Sequence, residues 1–266
     1  MFDENDTDER QIRVGCAGWS VPAEWAERFP AGVSHLQRYS SQFSGVEINS
    51  SFYRPHRPAT YARWAATTPE GFRFAVKAPR EVTHKHRLTE AGMEALDRFL
   101  VESGALGVKR GPVLLQLPPS LKFDADVAAR FFGLLRERFQ GSVVCEPRHP
   151  SFFEAEADAL LAQFHIGRVA ADPAVTPVAA RSGGWAGLVY YRWHGSPRMY
   201  YSAYPTDTLD ALADALRASA ERAIETWCIF DNTAAGAATG DALGIQERLS
   251  AARDAATYHL RREPPR

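Results

Sequence analysis

Cysteine is scarce and scattered. The three thiols, Cys16, Cys145 and Cys228, lie far apart inside apolar runs and form no CxxC pair. That spacing leaves nothing for a thiolate metal site or a dithiol redox motif and predicts reduced, buried side chains. HExxH is absent too. No apolar run approaches the roughly 18 residues that a membrane span needs. The opening MFDENDTDER is acidic and without an apolar centre, unlike a signal or transit peptide. The expectation is therefore a soluble, cytoplasmic protein with a frayed acidic tail over residues 1–10. Charge of one sign is lacking as well. A formal net charge of -1 gives no general attraction for nucleic acid or an anionic membrane, so anion binding has to be local. No repeat or low-complexity linker divides the rest, and residues 11–266 read as one domain.

What is present is enough apolar sequence for a core, 45% hydrophobic against 24% charged, close to the globular average. Eight runs look like strands: Ile12 to Trp19, Val46 to Tyr53, Phe72 to Ala78, Val113 to Leu117, Val143 to Glu146, Ile166 to Asp172, Leu188 to His194 and Trp227 to Asn232. Helix-forming stretches follow, among them Ser34 to Phe43, Met93 to Ser103, Ala125 to Phe139, Ala155 to Phe164, Thr208 to Ala223 and Asp241 to Arg261. Several open on Asp, Ser or Thr near an N-cap position, and Phe131, Leu134, Leu135 and Phe139 show the spacing of one buried helix face. Strand then helix, eight times in about 250 residues, predicts an α/β fold of the single (β/α)8 TIM-barrel type. The Pro- and Gly-rich segment Asp172 to Gly187 reads as a loop.

Strand parity then predicts a site. Alternate side chains face opposite sides of a strand. In GVEINSSFY, Val46 and Ile48 point one way and Glu47, Asn49 and Ser51 the other. The same split sets Lys77, Gln116, Glu146 with Arg148, Asp172, and Arg192 with His194 against apolar neighbours. Unpaired charges are costly to bury. Acids Glu47, Glu146 and Asp172 facing cations Lys77, Arg148 and Arg192 could balance at the carboxyl ends of the strands, where barrels do their chemistry.

The chain at this point resembles the YecE-like family, domain of unknown function 72. The likeness is carried by VGCAGWS with Trp25, VEINSSFYR, FAVKAPREVTH with Leu88, GPVLLQLPPS, CEPRHPSFF, YRWHG with Tyr201 and Tyr204, and FDN with Gly236. It covers nearly the whole chain in order and implies a TIM-type barrel, while the chemistry is left to the residues. Three positions depart from the family pattern: Phe152 replaces Trp, Asp231 stands in an FNN-like motif, and Asp241 replaces Asn. The two acids would make the last loop less welcoming to an anion wherever they face it.

Glu47 and Glu146 are the candidate acid and base, since carboxylates beside cations can be held at different pKa values; the plainer reading is charge neutralisation. His194 is the third catalytic candidate. Lys77, Arg148 and Arg192 suit an anion clamp, with Asn49, Gln116, Asp172 and Asn232 orienting by hydrogen bonds. Trp19, Tyr53, Tyr201 and Tyr204 could form an aromatic wall for a sugar ring or base, while core packing or loop anchoring is the reading for Phe52, Phe152 and Trp193. The sequence predicts no cofactor. The metal alternative, a phosphoesterase- or nuclease-like barrel, would use Glu146, Asp172 and His194, with three nearby cations opposing it. The expected partner is a small anionic or sugar-like ligand. A ligand- or nucleic-acid-binding role without turnover is the other alternative, and the net charge argues against nucleic acid.

Overall fold

The computed structural model describes residues 12–32, 34–222 and 225–260, with side chains followed to Ala251; the stretch 1–10, read as a tail, lies outside the described residues. Strands are β1 (Ile12–Cys16), β2 (Gly45–Ile48), β3 (Arg73–Lys77), β4 (Arg110–Gln116), β5 (Val143–Glu146), β6 (Ile166–Arg168), β7 (Ala170–Asp172), β8 (Gly183–Gly184), β9 (Leu188–Trp193) and β10 (Glu225–Phe230). Helices are α1 (His35–Ser40), α2 (Pro58–Ala66), α3 (Met93–Gly104), α4 (Ala125–Arg138), α5 (Ala155–Gln163), α6 (Thr206–Ala220) and α7 (Ala237–Leu260). All eight strand-like runs carry a strand. No helix among the described residues is long and apolar enough to cross a membrane.

Local chemistry accounts for the helices. Asp124 caps α4 by accepting from the Val127 amide at 3.1 Å, Ser34 does the same for α1 from Gln37, and Pro58 opens α2 where its missing N–H costs nothing. Helix α4 then buries Ala128, Phe131, Phe132 and Leu135 on one side. Each large apolar side chain so buried contributes about 2 kcal/mol, so Leu135→Ala would cost about 2–5 kcal/mol.

The strands form two hydrogen-bonded sheets, β1-β10-β9-β7 and β2-β3-β4-β5-β6-β8, parallel throughout except for β8 against β6. Two places join them. The run from Ile166 to Asp172 pairs with β5 in its first half and with β9 in its second, and the Val169 amide still bonds Cys145 O at 2.9 Å. On the other side Ala17 bridges to Glu47, and Gly18 N donates to Glu47 O at 2.9 Å. Gly15 permits this approach, because a Cβ there would lie 2.0 Å from the Gly45 carbonyl oxygen.

Two apolar clusters separate the faces. The larger lies between strands and helices; the smaller holds Ala75, Leu114, Val144, Val169, Ala171, Leu188, Tyr190, Trp227 and Ile229, one or two from each contributing strand. Trp227 fills the lower end because Gly45 and Gly111 offer no side chain against its ring.

Strand–helix alternation fails once. After β7 the chain makes a short 3-10 turn, Pro177–Ala180, and returns through β8. Prolines and glycines in this segment make a helix too costly; the Trp185 amide instead bonds Ile166 O at 3.0 Å.

Candidate functional site

The strand ends deliver a layer of charge directly above the smaller apolar cluster. Arg192, fully buried on β9, is its hub. Its Nη2 donates to Glu47 Oε1 at 2.8 Å and its Nε to Glu47 Oε2 at 3.0 Å, a forked pair. Its Nη1 reaches Glu146 Oε2 at 3.2 Å and its Nη2 also lies 3.0 Å from Asp231 Oδ2. Tyr190, two residues earlier on the same strand face, donates its hydroxyl to Glu47 Oε2 at 2.9 Å. Burial opposes the charge on Arg192, but Asp231, Glu47 and Glu146 outweigh it and push its pKa further up.

His194 sits between two acids. Its Nδ1 faces Asp231 Oδ2 at 3.0 Å and its Nε2 faces Glu146 Oε1 at 2.8 Å, while Arg148 Nη2 lies 2.5 Å from that Nε2. A neutral ring with its proton on Nδ1 accepts from Arg148; a protonated ring donates to Glu146. The imidazole therefore has partners in both states. Burial would raise the pKa of Glu146, yet Arg148, Arg192 and His194 together hold it well below the usual carboxylate range. Asp231 is lowered in the same way, burial being outweighed by Arg192 and His194.

Above this layer opens a cleft of about 720 Å³. Asn49, Lys77, Gln116, Arg148 and Asp231 line its floor, with His84, Phe52, Tyr53, Tyr200 and Tyr201 around them. Lys77 is only 4% exposed. Its ammonium lies 4.2 Å from the Phe52 ring centroid and has no hydrogen-bond or ion-pair partner among the described residues. Burial, then Arg192, lower its pKa to about 8 against the opposite pull of Glu47, Glu146 and Asp231. Asn49 Oδ1 and Arg148 Nε are likewise buried without a partner among the described residues.

Comparison with known proteins agrees with the likeness seen in the motifs. The family model described as "Protein of unknown function DUF72" matches residues 13–266. The chain belongs to the DUF72 family. The UPF0759 protein YecE of Escherichia coli K12 is 30% identical over 143 residues, 53% of this chain and 50% of that protein; the match thus spans about half the length of this curated relative. A DUF72 family protein from Enterococcus faecalis V583 shares the fold with a TM-score of 0.76 at 21% identity, covering 90% of this chain and 96% of that one. A xylose isomerase-like TIM barrel/4-hydroxyphenylpyruvate dioxygenase fusion protein aligns at a TM-score of 0.50 and 13% identity, over 93% of this chain and 44% of the other. These structures identify the DUF72 chain as an α/β protein with TIM-barrel-like neighbours.

Of the predicted site residues in this DUF72 chain, Glu47, Glu146, Arg148, Arg192 and His194 meet in the charged layer, and Asn49, Lys77, Gln116, Arg148, Tyr53 and Tyr201 line the cleft. Three do not. Asp172 lies on the opposite strand face and accepts from Tyr204 at 2.8 Å, because Val169 and Ala171 take the inner positions of that run. Tyr204 is buried in the outer core, its hydroxyl also accepting from Gly195 N at 2.8 Å. Trp19 packs edge-on against Trp64 at 5.0 Å. Asn232 is buried beside the layer, donating to Ser202 O and Asp241 Oδ2.

The third acid is Asp231, which the sequence shows only as a departure from a family motif. Its parity with Trp227 and Ile229 on β10 was the available signal, as was that of Tyr190 with Arg192. His84, in the basic segment with Lys85, His86 and Arg87 that reads as a solvated loop able to close over an anionic ligand, lines the cleft. The metal set Glu146, Asp172 and His194 does not assemble, since Asp172 points away; no cluster of three or more His, Cys, Asp or Glu is placed to hold a metal among the described residues.

Proposed function

We propose that this chain is an enzyme acting on a small anionic, polyhydroxylated substrate held in the cleft, where eight strand positions, with β6 and β7 counted as one, close into a single ring. The two seams between the sheets support the closure, and the smaller apolar cluster fits the inside of such a ring.

One observation carries the functional reading. The three acids of the layer are engaged by Arg192, His194 and Arg148, whereas the Lys77 ammonium faces the cleft with no hydrogen-bond or ion-pair partner among the described residues. Lys77 and Arg148 hold the anion, Asn49 and Gln116 orient it, and Tyr53 and Tyr201 supply a wall with apolar faces and polar tips. His194 stores the proton, and Asp231, which touches both His194 and the cleft, connects it to the substrate. Glu47 and Glu146 have every oxygen engaged and are fully buried, so they position Arg192 and His194 and do not exchange protons with substrate.

Titration calorimetry with oxalate and inorganic phosphate at low ionic strength tests this. Saturable binding that weakens with salt, and by about tenfold or more in Lys77→Met, is the expected result. Absence of binding to either anion, or binding that Lys77→Met leaves unchanged, overturns the reading.

A further inference from the structure

The chain has four lysines among its 31 basic residues. Three have ordinary surroundings: Lys85 and Lys122 are exposed, and Lys109 donates to the carbonyls of Ala65 and Thr68 at 2.7 and 2.6 Å. The fourth, Lys77, is buried at the floor of the cleft, in a layer whose other two cations are arginines. Arginine would hold an anion with two parallel bonds where lysine offers a point charge. A primary amine adds one capacity that guanidinium lacks, nucleophilic attack on a carbonyl carbon.

We infer that Lys77 forms an imine with an aldehyde or ketone group of the ligand, so that the substrate class is a small carbonyl compound bearing an anionic group. The inference rests on the anion-binding reading above for the second half of that description only.

Geometry supplies what the step needs. The ammonium opens onto the cleft over the Phe52 face and has no hydrogen-bond partner among the described residues. The His84 ring packs edge-on against the same Phe52 ring, 4.9 Å between centroids, and also lines the cleft. Burial, then Lys77, Arg80 and Arg87, lower the pKa of His84, which favours the neutral ring, and its place on the cleft beside Phe52 makes it the side chain to relay a proton. Lys77 itself, with its pKa near 8, has about a tenth of its amine free at pH 7, against under about a thousandth for an ordinary lysine. The charges facing it are Arg192 from β9, Glu47 from β2, Glu146 from β5 and Asp231 after β10. The acids keep an iminium cation favourable once formed.

The step balances without an oxidant. His84 takes one proton from the Lys77 ammonium; the Nζ lone pair then attacks the carbonyl carbon as the C=O π bond breaks, and His84 passes that proton to the oxygen, giving a carbinolamine still protonated on nitrogen. His84 receives a proton from nitrogen and returns it to the departing hydroxyl. Water leaves, and the products are an iminium and one water.

Trapping tests it on the full chain. Glyoxylate with sodium cyanoborohydride at pH 7 should convert Lys77 to carboxymethyl-lysine roughly tenfold or more faster than Lys85 or Lys122, read by peptide mass spectrometry, and oxalate should slow the reaction. Propanal, an uncharged aldehyde, separates the two ideas: trapping of both aldehydes at Lys77 without oxalate competition keeps the imine and discards the anion site. Oxalate or glyoxylate binding in calorimetry without preferential trapping at Lys77 discards the imine and keeps the anion site. Lys77→Arg should fold, bind oxalate and lose the rapid modification; fast trapping in that variant at any other lysine would overturn the assignment.

Discussion

The β9 and β10 side of the polar layer and its β3 and β4 side differ in how completely their polar groups are used. On the first, Arg192, His194 and Asp231 bind one another and draw in Glu47, Glu146 and Tyr190. On the second, Lys77 and Gln116 reach the cleft and neither side chain finds a hydrogen-bond partner among the described residues. Burying a charge is tolerable when hydrogen-bonded partners surround it and costly otherwise. The saturated side is therefore the part that fixes geometry. The unsaturated side holds interaction energy that only a ligand can recover, and for that reason ligand binding is proposed there, with His194 and Asp231 of the saturated side handling the proton.

Breaking the saturated side should have the largest effect. Arg192→Met leaves Glu47, Glu146 and Asp231 together without their shared cation. The expected loss is upwards of about 5 kcal/mol, comparable to the whole stability of a domain, so the variant should be unfolded or insoluble at neutral pH by circular dichroism and urea titration. A variant that folds with a near-wild-type midpoint would mean that the layer is not held by Arg192.

Glu146→Gln probes the same side more gently and adds a pH signature. Glu146 and Asp231 have folded pKa values below their ordinary 4.5 and 3.8. For lowered carboxylates the stabilisation is complete above the unfolded pKa and is lost as pH falls through the folded one. The wild-type urea midpoint should therefore drop steeply below about pH 4.5. Glu146→Gln should cost about 2–4 kcal/mol at pH 7 and show a shallower acid slope. An unchanged slope would show that Glu146 is not held ionised by Arg148 and Arg192.

Much of this contrast could be read from strand parity and some could not. Period-two alternation placed Glu47, Lys77, Gln116, Glu146 and Arg192 on one face because each of those strands alternates apolar and polar residues near its end. The run IGRVAAD broke the inference: its inner positions are the small apolar Val169 and Ala171, and polarity alone pointed Asp172 the wrong way. Arg168 shares the outer side and is paired with Asp158 of α5 at 2.7 Å, a cue that parity counting could have used. Trp19 and Tyr204 were illegible for another reason. Whether an aromatic residue at a strand end lines a cleft or packs beneath a loop depends on tertiary partners, here Trp64 and Asp172, that lie 45 and 32 positions away. Nor does local sequence show that Lys77 would be left without a carboxylate. Glu47 lies on β2 next to β3 and Glu146 two strands beyond β3 on β5, and only the three-dimensional reach of Arg192 decides which cation they serve.

The unsaturated side makes the smallest and most discriminating prediction, because its sign is opposite to the others. Lys77 has a folded pKa of about 8 against 10.5 unfolded, so keeping it charged in the fold is a penalty, present in full below pH 8 and gone above the unfolded value. Wild-type stability should therefore rise as pH increases from about 8 to 10.5 through this group. Lys77→Met, which keeps the stem and removes the ammonium, should be more stable than wild type by about 1–2 kcal/mol at pH 7 and lack that alkaline rise. The same variant should lose anion binding. A residue that destabilises its own fold while facing an open cleft is held there by something other than stability. A Lys77→Met protein less stable than wild type at pH 7 would instead make the lysine a structural partner of Glu47 and Glu146, and the two sides of the layer would be alike.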